Sequence, residues 1–186
     1  MRVISGFLKG KKIDYLRSEN TRPLRDFVKE NIFNIINHSN LINVNLEHSN
    51  VLDLYSGVGS FGIECISRGA KKSTFVESKN QALITLTKNL RNLKIENQAK
   101  IFKEKTISFF KKLNQKDKFE IIFLDPPFAE NLFIEELNTI KNFKIYKKNH
   151  LVIIHRESQS HDQISKIINV LLTRNYGRSK VIFGTF

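Results

Sequence analysis

Three stretches carry residues whose types and spacing could do chemistry: Val51-Leu52-Asp53-Leu54-Tyr55-Ser56-Gly57-Val58-Gly59-Ser60-Phe61-Gly62, Val76-Glu77, and Asp125-Pro126-Pro127-Phe128. In the first, Gly57, Gly59 and Gly62 stand in the Gly-x-Gly-x-x-Gly spacing after a short apolar run. Such glycines let a backbone turn sharply and come close to a ligand before a helix begins, with the free N–H groups of that helix facing an anion or a carboxylate. Glu77 closes the next β-rich run and suits the two hydroxyls of a ribose. Together these features predict a nucleoside-containing cofactor, either a dinucleotide or S-adenosylmethionine. Asp53 separates the two options. A carboxylate beside the turn repels a pyrophosphate but suits an ammonium group, which favours the sulfonium cofactor. Tyr55, Ser56, Gly57 and Gly59 complete the expected cofactor loop.

The third stretch has a bland reading, because two prolines end a strand whatever the purpose. An ordinary turn does not require Phe128. An exocyclic amine on a nucleobase is a poor nucleophile, its lone pair being delocalised into the ring. If the Asp125 carboxylate and the Pro126 carbonyl each accept one of its hydrogens, the nitrogen is held with its lone pair turned to a methyl donor. Pro126 and Pro127 keep that carbonyl rigid, and Phe128 offers an apolar face for the extruded base. Catalysis would then come from orientation and electrostatics.

These residues need strand ends to position them. Apolar β-rich runs at 51–54, 73–77, 100–103, 120–124, 151–154, 170–173 and 180–186 read as strands, the last two joined through Asn175-Tyr176-Gly177. Helices are expected at 61–67, 79–93, 106–113 and 132–142, the first stopping at Arg68-Gly69-Ala70. Another helix is expected to start at Thr21-Arg22-Pro23 and bury Leu24, Phe27, Val28, Ile32, Ile35 and Ile36, followed by a linker over 37–49. Strands alternating with helices indicate a parallel α/β sheet closed at one edge by a hairpin. In such a sheet ligands bind beyond the carboxyl ends of the strands, where strand order reverses.

The chain has 186 residues, enough for one domain with a full core, and a net charge of +13 from 31 basic and 18 acidic residues. That excess points to a polyanionic partner such as nucleic acid, although the abundance of Ile, Asn and Phe also fits compositional drift that enriches lysine. Residues 1–20 read as an exposed β-hairpin or arm in which Arg2, Lys9, Lys11 and Lys12 would neutralise phosphates without reading sequence. Cys65 is the only cysteine, so no intrachain disulfide forms, a reducing cytoplasm is expected, and the thiol reads as a core residue. The start of the chain has no signal-peptide pattern, the apolar runs are too short to span a membrane, and His38 and His48 have no Cys or acidic partners at metal-ligand spacing and read as loop residues. A monomer is the default expectation.

The ordered set Thr21-Arg22-Pro23, Val51 to Gly59, Ser67-Arg68-Gly69-Ala70, Val76-Glu77 and Asp125-Pro126-Pro127-Phe128 resembles the RsmD family, bacterial methyltransferases that modify the N2 amine of a guanine in small-subunit (16S) ribosomal RNA. Arg2-Val3-Ile4-Ser5-Gly6, Lys9-Gly10-Lys11 and Tyr176-Gly177 extend the likeness over nearly the whole chain. The resemblance implies a Rossmann-like seven-stranded methyltransferase sheet over 41–186 and a small hairpin and helix extension over 1–40, packed on the main domain. It also implies S-adenosylmethionine as cofactor, Thr21 and Arg22 near its methionine end, and rRNA or an assembled small subunit as substrate. Two stretches depart from the family pattern. Lys103-Glu104-Lys105-Thr106 stands where an acidic residue faces the adenine, and Ile154-His155-Arg156-Glu157 leaves the acidic position after the fifth strand unassigned. An adenine-N6 methyltransferase, an NAD-dependent oxidoreductase and a non-catalytic RNA-binding or assembly protein remain as rivals.

Overall fold

The structure, a computed structural model, describes residues 1–16, 24–113, 116–127 and 132–186. The expected helix start at Thr21-Arg22-Pro23, and Phe128, lie outside them. Seven strands form one sheet: β1 (Asn50–Leu54), β2 (Lys72–Glu77), β3 (Ala99–Lys103), β4 (Phe119–Leu124), β5 (Tyr146–Glu157), β6 (Asn169–Tyr176) and β7 (Ser179–Thr185), in the order β3-β2-β1-β4-β5-β7-β6. The first five are parallel and β7 runs antiparallel to β5 and β6. Strand order reverses between β1 and β4, so the crevice expected of a doubly wound sheet opens at their carboxyl ends.

Because both faces of the sheet are covered, its central strands are mostly apolar. Val51, Ile121, Phe123, Leu151, Ile153, Val181 and Phe183 face one side, against α1 (Asp26–His38) and α2 (Ser60–Ser67). Leu52, Leu54, Ile122, Leu124, Val152, Ile154 and Ile182 face the other, against α4 (Thr106–Phe110) and α5 (Phe133–Phe143). The period-2 alternation of a pleated strand sorts them. The remaining helix, α3 (Asn80–Leu93), joins α2 and the N-terminal arm around Phe75.

Several expected boundaries move. The fifth strand has 12 residues, Tyr146–Glu157, because pairing to Phe119 at one end and to Val181, Lys180 and Ser179 at the other continues past the apolar stretch. The helix after β3 stops at Phe110, short of residue 113. Phe27, assigned to the buried face of the first helix, is 64% exposed and lies edge-on to Tyr176.

The arm is not free. Its main chain closes around the Arg2–Lys12 bridge, with Val3 N–H donating to the Lys11 carbonyl, Gly10 N–H to the Val3 carbonyl and Ile13 N–H to the Met1 carbonyl, and Val3, Leu8 and Ile13 are buried while Arg2, Lys9, Lys11 and Lys12 face solvent. The backbone N–H groups of Ile4 and Ser5 donate to the Glu64 carboxylate at 2.8 and 2.9 Å. Glu64 also accepts from Arg68 Nε at 2.8 Å and faces Lys29 Nζ at 3.6 Å. Lys29 and Glu64 are fully buried. Lys29 Nζ in turn donates to the Arg2 carbonyl and Ser60 Oγ. Burial holds the Lys29 ammonium below its ordinary pKa, against the pull of Glu64 and Asp26. Glu64→Ala would strand a buried ammonium and two backbone donors, so a loss of about 3–5 kcal/mol is expected in urea unfolding. An unchanged midpoint would mean that Val3, Leu8 and Ile13 suffice to hold the arm.

Candidate active site

The site is assembled from the carboxyl ends of β1, β2 and β4. After Leu54 the chain leaves the sheet through Tyr55, a non-glycine residue at φ +59°. Such a conformation costs roughly 1 kcal/mol and is held by its surroundings. Here the Tyr55 hydroxyl donates to Glu136 on α5 at 2.6 Å, and Thr106 Oγ1 donates to the same carboxylate oxygen. The tyrosine side chain therefore anchors the loop to the far face of the sheet.

Gly59, at φ +88°, opens α2, and a Cβ there would fall 2.4 Å from Leu86 Cδ1. One at Gly62 would fall 2.3 Å from the Phe75 ring. These two glycines let α2 lie directly on β2 and α3. On the outer side, Asn89 ties the loop to the arm, its Nδ2 donating to the carbonyls of Val58 and Asp14.

Three carboxylates converge at this opening. Glu77, at the end of β2, accepts from Gly57 N–H through Oε2 at 2.9 Å and from Ser78 and Lys79 N–H through Oε1. It thereby sets the shape of the glycine loop as well as ending its strand. Asp53 is 1% exposed and accepts from Gly62 N–H at 2.9 Å. Burial pushes its pKa up to about 8, the Gly62 N–H opposing and the charges of Asp125 and Glu77 assisting. Asp125, whose N–H meets the Leu54 carbonyl at 3.4 Å, stands at the end of β4. Ser56 Oγ is buried and has no hydrogen-bond partner among the described residues. A concentration of acidic groups with an unsatisfied buried hydroxyl, in a chain of net charge +13, fits a cationic cofactor and opposes a pyrophosphate.

The Asp-Pro-Pro turn is gripped from β5, which the sequence reading left without an assignment. His155 Nδ1 lies 2.8 Å from Asp125 Oδ1, and the imidazole is 6% exposed. The next residue, Arg156, points to the other face, donates to the Pro127 carbonyl at 3.2 Å, pairs with Asp162 and stacks on Phe133 at 4.4 Å. The signal was the run Ile154-His155-Arg156, two polar residues continuing the apolar stretch 151–154. Pro126 is buried and Pro127 exposed. The structure therefore brings Asp53, Tyr55, Ser56, Gly57, Gly59, Glu77, Asp125, Pro126 and Pro127 to one end of the sheet. The arm residues Arg2, Lys9, Lys11 and Lys12 lie on the layer outside α2 and α3. Thr21, Arg22 and Phe128 lie outside the described residues. Cys65, buried among α2 side chains with its thiol pKa raised by burial, stays in the core. Among the described residues no cluster of His, Cys, Asp and Glu could hold a metal, and no helix is long and apolar enough to cross a membrane.

Residues 1–185 match the family described as Conserved hypothetical protein 95. The ribosomal RNA small subunit methyltransferase D of Buchnera aphidicola from Acyrthosiphon pisum is 35% identical over 157 residues, covering 84% of this chain and 78% of that protein. The Haemophilus influenzae protein of the same name is 35% identical over 158 residues, 84% of this chain and 79% of its own length. Among solved structures, the Escherichia coli protein yhhF superposes with a TM-score of 0.82 at 25% identity, covering 99% of this chain and 96% of that one.

Proposed function

The chain belongs to the RsmD family, and from that premise we propose that it methylates the exocyclic N2 amine of a guanine in small-subunit (16S) ribosomal RNA. The cofactor is S-adenosylmethionine, and the enzyme class is an S-adenosylmethionine-dependent rRNA methyltransferase. The observation that supports the amine chemistry is the placement of the Asp125-Pro126-Pro127 turn beside the glycine loop, across the point where strand order reverses.

The cofactor, when bound, supplies an electrophilic methyl on a sulfonium, whose S–C electron pair leaves with the sulfur as the N–C bond forms. Everything else falls to the chain. Glu77 would hold the ribose hydroxyls, and Asp53 the ammonium end, with Tyr55, Ser56, Gly57 and Gly59 shaping the loop between them and Thr21 and Arg22 contributing at the methionine end. Asp125 and the Pro126 carbonyl would each accept one amine hydrogen, turning the lone pair to the methyl group, while Phe128 stacks on the base and Pro127 stiffens the turn. As the nitrogen takes the methyl it becomes cationic, and the Asp125 carboxylate stabilises that charge before the proton passes to solvent. We assign the described basic residues of the arm, Arg2, Lys9, Lys11 and Lys12, to the RNA backbone, with residues 1–40 as the RNA-gripping part and 41–186 as the methyltransferase part, working as a monomer in the cytoplasm without a metal.

The test is methyl transfer from labelled cofactor to small subunits lacking native modifications, beside naked rRNA, with mass spectrometry of the digested nucleosides. N2-methylguanosine is expected, and N6-methyladenosine would overturn the guanine assignment while keeping the mechanism. Replacing Lys9, Lys11 and Lys12 with Gln is expected to weaken RNA binding and to flatten the slope of log K against log salt by about 2. A slope equal to that of the unmodified protein would mean that the arm is solvated and contacts no phosphate.

A further inference from the structure

Asp125 must offer an oxygen to the substrate amine, yet its backbone lies at the end of a strand where a carboxylate could swing. It does not stand alone. His155 Nδ1 meets Oδ1 at 2.8 Å, and the Asp125 side chain is 23% exposed against 6% for His155, so the imidazole approaches from the protein side and the carboxylate keeps an outer side. The two residues occupy neighbouring parallel strands in a fixed register, Phe123 opposite Ile153 and Leu124 opposite Ile154. His155 itself is paired in the ladder with Val181. Arg156 fixes the other end of the same turn through Pro127.

We propose that His155 is a positioning residue for methyl transfer, holding Asp125 Oδ1 so that Oδ2 is left to accept the hydrogen of the substrate amine. This inference rests on the function proposed above and adds a residue that has no role in it. The charged groups acting on His155 are Asp125 on the neighbouring strand end and Arg156 beside it. Burial, the largest influence, lowers the His155 pKa, but the charge of Asp125 and its hydrogen bond outweigh that and leave it raised above the ordinary value. An imidazolium at this site competes for the negative charge of Asp125. As pH rises through the His155 pKa the ring becomes neutral, Asp125 recovers its full charge toward the amine, and transfer accelerates.

The experiment compares wild type, His155→Ala and His155→Asn in single-turnover transfer to small subunits between pH 6 and 9, with cofactor affinity by calorimetry and unfolding midpoints alongside. The Asn amide nitrogen reaches the place of Nδ1 but does not titrate. His155→Ala is expected to slow transfer on the order of 10- to 100-fold with cofactor affinity within about twofold. His155→Asn should recover most of the rate and lose the pH step that wild type shows. Wild-type rate and profile in His155→Ala would overturn the proposal. So would equal slowing in both variants with equally lowered midpoints, because that is loss of fold support. The product nucleoside is a separate readout. A wild type that methylates a different amine overturns the guanine reading, and the ratio of His155→Ala to wild type on that amine still decides the role of His155.

Discussion

Asp125→Ala is expected to lower the single-turnover rate of methyl transfer by about 10³-fold or more while cofactor affinity changes by less than about threefold. The two effects separate because Asp125, at the end of β4, is the residue proposed to hold the reacting amine, whereas Glu77, Asp53 and the glycine loop are built from β1 and β2. Asp125→Asn should be nearly as slow. With its carbonyl oxygen turned to the His155 Nδ1–H, its NH₂ meets the substrate amine, donor against donor. Rapid quench with labelled cofactor reads the rate and calorimetry reads the affinity. Transfer within tenfold of wild type in both variants would remove Asp125 from the chemistry and leave positioning to the Pro126 carbonyl.

The second large effect belongs to Asp53. Buried at the base of the loop with a pKa near 8, it is mostly protonated at neutral pH in the cofactor-free protein. In its proposed role beside the ammonium of the cofactor, its ionised form is favoured on binding. Binding at pH 7 is therefore expected to release about 0.9 proton, and affinity should rise about tenfold per pH unit up to pH 8 and then level off. Calorimetry in buffers of different ionisation enthalpy counts the proton, and Asp53→Asn should abolish both the count and the slope. Stability carries the opposite sign. The folded carboxyl keeps its proton between the unfolded value of 3.8 and the folded value of about 8. Unfolding releases that proton, so stability is fully present below pH 4 and falls as pH rises toward 8, on the order of 5 kcal/mol across the window from this group. Asp53→Asn should flatten that dependence in urea unfolding from pH 5 to 9. A wild-type protein whose affinity and stability are both flat over this range would mean that Asp53 keeps one protonation state throughout.

The parts of this protein that sequence alone determined are those written locally. Central runs such as 121–124 and 151–154 are apolar at every position because both of their faces are covered, and the order of helices and strands follows from their periods. Gly59 and Gly62, Glu77 and Asp125-Pro126-Pro127 are recognisable because each stands at or just past the end of an apolar strand, where a turn or a helix begins. Tertiary structure decided what depends on residues distant along the chain. Lys29 finds its partner only in the folded core, where Glu64, 35 positions later, meets it. Phe27 reads as core until α1 turns it outward against Tyr176. His155 reads as the first polar residue past a strand until the parallel register of β4 and β5 sets it 2.8 Å from Asp125. Phe27 is placed by the way α1 packs, whereas for Lys29 and His155 the physical reason is the same. A buried charge or imidazole is stable only beside its partner, and the partner is chosen by the three-dimensional register of the sheet rather than by any neighbour in the chain.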